Sequence, residues 1–179
     1  MSGQVQRIQG VDPTSKKGGA FLRIAKDGVF SGMIGALMVV LWFLMLDAIA
    51  GHPLYTPSLL GKLLFRVPDA LQDPTVVGSF VVVYAGVHIA VFVVFGLVAA
   101  YLVSATERTP AMGIFLLFFV IFETAFFIYN LAVGGGLIAK LGVATVIIAN
   151  FLAAGGMSAY FIWRHPKVRE SIEKAWEEI

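Results

Sequence analysis

Cysteine is absent from the 179-residue chain, which excludes disulfides, thiolate metal centres and thiol catalysis. Charge is scarce as well. Asp, Glu, Lys and Arg make up 13% of the residues, about half the usual share of a soluble domain. No glycine-rich phosphate loop, hydrolase elbow, HExxH pair or histidine box occurs, and there are only three histidines. The chain is therefore not expected to be an enzyme. A net charge of +2 and a pI near 9.0 look mildly basic. The cations cluster at the ends of apolar runs, so they read as topology signals rather than as a nucleic-acid surface.

What the chain has in abundance is apolar length. Hydrophobic residues reach 59%, with a mean hydropathy of +0.87, more than a soluble domain of this size can hide. Four runs satisfy the requirement of about 20 apolar residues for a membrane crossing. They fall at 28–50, 77–103, 111–133 and 140–163. The expected fold is all-α, an integral membrane four-helix bundle in contact with the lipid bilayer. Residues 1–27 are polar, without a signal-peptide core, and are expected to form a cytoplasmic tail and pre-membrane segment.

Ten Lys and Arg flank the first, second and fourth runs on one side, from Arg7 to Lys26, at Arg108, and from Arg164 to Lys174. Only Lys62, Arg66 and Lys140 fall on the other. The positive-inside rule then sets both termini in the cytoplasm, across a bacterial inner membrane. SATERTP (104–110) reads as a tight turn and Gly134-Gly135-Gly136 as a flexible break, so runs two, three and four are expected to be antiparallel neighbours. Between runs one and two, Thr56-Pro57-Ser58 reads as a helix start. Leu59, Leu60, Leu63, Leu64 and Val67 then recur at helical spacing, with Lys62 and Arg66 off the stripe. A short amphipathic helix on the outer membrane face is expected there, or else an irregular lid. Residues 164–179 carry a second amphipathic pattern, with Val168, Ile172, Ala175, Trp176 and Ile179 on one side.

Polar side chains inside these runs mark the candidate site. His88, Glu123 and Asn150 fall close to the centres of the second, third and fourth runs, where an ionisable group costs about 3 kcal/mol to insert. Tyr84 shares a helix face with His88, and Asn130 shares one with Glu123, extending the polar track outward toward Thr145 and Asp47. His88 with Glu123 is a minimal metal-binding pair. The same residues could relay a proton in coupled transport, or hydrogen-bond a quinone-like headgroup between helices. They could equally serve only to pin helix register. Pairs of small residues four apart, such as Gly28/Gly32 and Gly86/Ala90, permit close helix approach.

YAGVH (84–88), FET (122–124), ANFLAAGGM (149–157) and WRHP (163–166), following HPLYTPSLLG (52–61), resemble small bacterial four-span integral membrane proteins. The resemblance covers most of the chain and implies no activity. Two functions follow from the residues. One is a non-catalytic subunit of a larger membrane assembly, its C-terminal stripe meeting other subunits. The other is a stand-alone protein that uses the polar cluster to bind a metal or quinone or to move protons.

Overall fold

The computed structural model describes residues 13–105, 111–132, 136–164 and 170. Six helices follow in order: α1 (Pro13–Ile49), α2 (Tyr55–Leu64), α3 (Gly78–Ala105), α4 (Ala111–Ala132), α5 (Leu137–Leu141) and α6 (Val143–Arg164). The described residues contain no strand. Three stretches are long and apolar enough to cross a membrane: Phe21–Ile49 in α1, Gly78–Ser104 in α3 and Val143–Arg164. Their outward faces carry exposed Phe30, Leu37, Val82 and Val94. Side chains of that kind are stable there only against lipid, so the chain is a multi-pass membrane protein.

α1 begins fifteen residues before the run read from the sequence, at Pro13 instead of Gly28. Proline suits the first helical position, where its missing N–H has no intrahelical partner to lose. Asp27 does not interrupt the helix because it is answered from the far end of the chain. Its Oδ1 accepts hydrogen bonds from Tyr160 Oη at 3.1 Å and Arg164 Nε at 3.2 Å. The fourth run is divided differently from its sequence reading. Gly142 takes φ +87°, closed to most L side chains, and separates α5 from α6.

Contacts along the helices set their directions. α1 is antiparallel to α3: Gly28 lies against Leu97 while Ala36 meets His88. It is also antiparallel to α6, where Asp27 reaches Arg164 and Trp42 Nε1 donates to Thr145 O at 3.0 Å. The α1–α3 crossing depends on glycine. A Cβ on Gly28 would lie 2.6 Å from Leu97 Cα, and one on Gly96 would run into the Gly28 carbonyl and lie 2.6 Å from Gly32 N. Gly86 meets nothing within 4 Å among the described residues, so no close approach accompanies its pairing with Ala90 there. α4 packs on α6, with Phe118 stacked on Phe161. Among the described residues α3 and α4 make at most weak backbone contact. They meet through the rings of Phe92, Phe95 and Phe122.

α2 forms at the expected place but starts at Tyr55, with Leu54 in the left-handed region at φ 67°. Thr56 is therefore inside the first turn and does not cap it. Asp47, which the sequence puts within reach of water, is buried and supplies the cap from α1. Its Oδ2 accepts from Thr56 N and its Oδ1 from Thr56 Oγ1, both at 2.7 Å. The polar side of α2 is buried too. Lys62 is 2% exposed, and its ammonium donates to Asp73 Oδ2 at 2.7 Å, Thr75 O at 2.6 Å and Thr75 Oγ1 at 3.0 Å. Three donors meet three acceptors, which is what allows the charge to be interior. The expected C-terminal amphipathic helix lies outside the described residues, except for helical, exposed Glu170. So do residues 106–110 of the expected turn, and Gly134 and Gly135 of the expected break.

Candidate functional site

The gap between α3 and α4 is a cavity of about 280 Å³. α3 contributes Tyr84, His88 and Phe92 to its wall, α4 contributes Phe122 and Tyr129, and α6 contributes Asn150. α2 closes one end through Leu60 and Leu64. Tyr129 Oη donates to the Leu60 carbonyl at 2.9 Å, which ties α4 to that roof. A second cavity of about 170 Å³ lies between α1, α2 and α3. Tyr84, His88 and Leu60 border both.

Apolar runs put these polar groups indoors. His88 and Asn150 are each 8% exposed, because their helices turn those faces toward the bundle interior. The His88 ring is packed between Tyr84 and Phe92, with centroids at 5.7 and 4.7 Å. Its Nε2 lies 3.3 Å from the Ala36 carbonyl on α1. Asn150 differs. Its Nδ2 is fully buried and has no hydrogen-bond partner among the described residues. An unanswered buried donor costs about 1–3 kcal/mol. Among the described residues, no side chain charged at neutral pH borders the cavity.

The other candidates separate. Glu123 lies in α4, and its side chain is outside the described residues. Asn130 is buried at the α4–α5 junction, where its Oδ1 accepts from Ile138 N at 3.1 Å and caps α5. Asp47 is occupied with α2. His88, Asn150 and Tyr84 are thus the sequence-read residues that share the cavity. Among the described residues no group of three His, Asp or Glu is brought together to hold a metal ion. Phe92, Phe122 and Tyr129 also form the wall. Aromatics at helical spacing look alike in sequence whether they face lipid or a cavity, so periodicity could not single these out.

Two charged sites escape sequence reading altogether. Asp27 is buried between α1 and α6, and Lys62 is buried under the loop after α2. Beyond the cavity, Asp73 is held down at about 2, first by the Lys62 hydrogen bond and then by the backbone and side chain of Thr75. In comparisons with protein-family models, curated proteins and solved structures, nothing matches this chain.

Proposed function

We propose that the chain is a four-span membrane protein that binds a neutral, quinone-like amphiphile at bilayer depth between α3, α4 and α6. The observation carrying this reading is the buried Nδ2 of Asn150, unpartnered among the described residues, on a residue that lines a cavity together with His88. Ser31 Oγ and Ser158 Oγ are likewise buried and unpartnered among the described residues, but of the three residues only Asn150 lines the cavity, and a ligand there supplies an explanation for its unanswered amide nitrogen. The aromatic walls suit a flat ring. The weak backbone contact between α3 and α4 supports access for the apolar remainder from the lipid side.

The direction of the helices supports α4 as the fourth crossing. α3 and α6 both run antiparallel to α1, and therefore parallel to each other. A chain leaving one and entering the other must recross the bilayer between them, and α4 has 22 residues for it. An even number of crossings returns both termini to one side. The ten-to-three distribution of Lys and Arg favours the cytoplasm for that side, and a bacterial inner membrane.

The test is direct. The protein is reconstituted in phospholipid vesicles and titrated with a short-chain benzoquinone, with heat or tryptophan fluorescence as readout. Saturable binding that weakens in Asn150→Leu is expected. Absence of saturable binding to the folded wild-type protein overturns the proposal.

A further inference from the structure

The second cavity, of about 170 Å³, has walls of a different kind. α1 lends it Val40, Phe43 and Leu44, α2 lends Thr56 and Pro57, and α3 lends Val81 and Ala85. Its polar side chains are engaged or are shared with the first cavity. Thr56 Oγ1 donates to Asp47 Oδ1, His88 Nε2 lies against the Ala36 carbonyl, and Tyr84 and His88 border both cavities. Among the described residues, no side chain charged at neutral pH lines this space. A buried water needs about two to four polar partners, whereas an apolar cavity of about 150 Å³ stays dry and takes hydrocarbon.

The space exists because α2 leans on α3 rather than on α1. A Cβ on Gly61 would run into the Phe80 carbonyl, so α2 and α3 approach closely there. α2 meets α1 far less, at the end where Asp47 binds Thr56. Val40, Leu44 and Leu54 line the cavity and are also exposed, so they stand at its mouth. Val40 and Leu44 belong to the membrane-compatible stretch of α1, so this mouth opens on hydrocarbon rather than on water. On α3 the wall runs from Val81 to His88, about 10 Å of helix, against about 15 Å for the hydrocarbon of one leaflet. The α2 end adjoins the exposed turn at 50–54.

We propose that the cavity between α1, α2 and α3 is a slot for one acyl chain of a bilayer phospholipid, drawn from the leaflet on the α2 side. The chain lies along α3 and fills the space that α2 leaves beside α1, while its headgroup stays at the interface by the turn before α2. Lipid is the solvent at that mouth, and a chain entering the slot breaks no hydrogen bond and gives the bare walls contacts they otherwise lack. The site is separate from the ligand reading of the cavity between α3, α4 and α6, and its test does not depend on that reading.

The experiment uses the full chain in phosphatidylcholine vesicles that contain a phosphatidylcholine with a diazirine midway along one acyl chain. After irradiation, crosslinked residues are located by peptide mass spectrometry. Thr56 and Pro57, which line this cavity and not the first, report its interior, and exposed Leu37 and Val94 report ordinary lipid contact. In the wild type, crosslinks at Thr56 and Pro57 should match or exceed those at Leu37 and Val94. Ala85→Phe places a ring in the slot and should abolish the interior crosslinks while leaving those at Leu37 and Val94 unchanged. Val40→Trp narrows the mouth from its lipid-facing side and should act likewise, even if the Ala85 variant fails to fold. A cooperative thermal transition verifies folding of each variant. Crosslinks confined to outward-facing residues, or interior crosslinks that persist in the folded variants, overturn the proposal. Loss of the interior crosslinks on adding a short-chain benzoquinone overturns the phospholipid as occupant and gives the slot to that amphiphile.

Discussion

Lys62 on α2 and Asp73, in the segment leading to α3, are joined by a 2.7 Å ion pair whose ammonium is almost completely withdrawn from solvent. Thr75 Oγ1 both accepts from that ammonium and donates to Asp73 Oδ1, so the three side chains form a closed set. The segment between them turns through Arg66 and Asp69 at φ 53° and 55°. Non-glycine residues adopt that region only when their surroundings hold them there. The network anchors this segment to the helix that roofs the cavity.

This pair predicts an acid sensitivity. The Asp73 carboxyl is held at about 2, below its ordinary 3.8, so the unfolded chain takes up a proton more readily than the folded one. The stabilisation is complete above about pH 4 and is lost as the pH falls from there toward about 2. Thermal unfolding in vesicles should show Tm dropping in that window. Asp73→Asn should flatten this part of the profile and lower Tm at neutral pH. Lys62→Met should cost less than Asp73→Asn, because it leaves no buried charge unpaired.

Asn150→Leu should make the protein more stable and less able to bind. Removing a buried donor with no partner among the described residues recovers about 1–3 kcal/mol. Tm rising while quinone binding disappears is the expected pattern. A fall in Tm would instead identify Asn150 as a register pin between helices.

Asp47→Ala removes the cap of α2 and should lower stability by about 1–2 kcal/mol. Asp47→Asn retains a carbonyl acceptor and should lose less. Because α2 closes the cavity, amide exchange across Tyr55–Leu64 should accelerate in the Ala variant while α3 stays protected.

Gly96→Ala drives a methyl group into the α1 backbone at Gly28 and Gly32. Separating the two helices should cost about 1–3 kcal/mol or more. Gly86→Ala on the same helix meets open space and should be neutral or stabilising by up to about 1 kcal/mol. Chemical denaturation in mild detergent distinguishes the two.

A cysteine-free chain permits a direct check of sidedness. Gln72→Cys, in the exposed loop before α3, should react with a membrane-impermeant maleimide added to intact cells. Lys26→Cys, near the Asp27 end of α1, should react only after the membrane is opened. The reverse pattern would invert the proposed orientation.

Much of the architecture can be read along the chain, because partition into lipid is a sum over consecutive residues. Apolar length alone locates α1, α3 and α6 as membrane-compatible, and it marks His88, Tyr84 and Asn150 as polar intrusions. Which of those intrusions share a cavity depends on how helices are rotated and spaced, and that is absent from any single run. Asp27 finds Arg164 across 137 positions, Asn130 turns to cap α5, and Asp47 caps α2 in place of Thr56. Lys62 reads as an outward-facing charge from its spacing, yet it is interior because Asp73 and Thr75 fold back over it. Transfer free energy is additive and local, so sequence determines what enters the membrane. Hydrogen-bond satisfaction is pairwise and long-range, so only the tertiary structure decided which polar groups were answered, and that Asn150 was not.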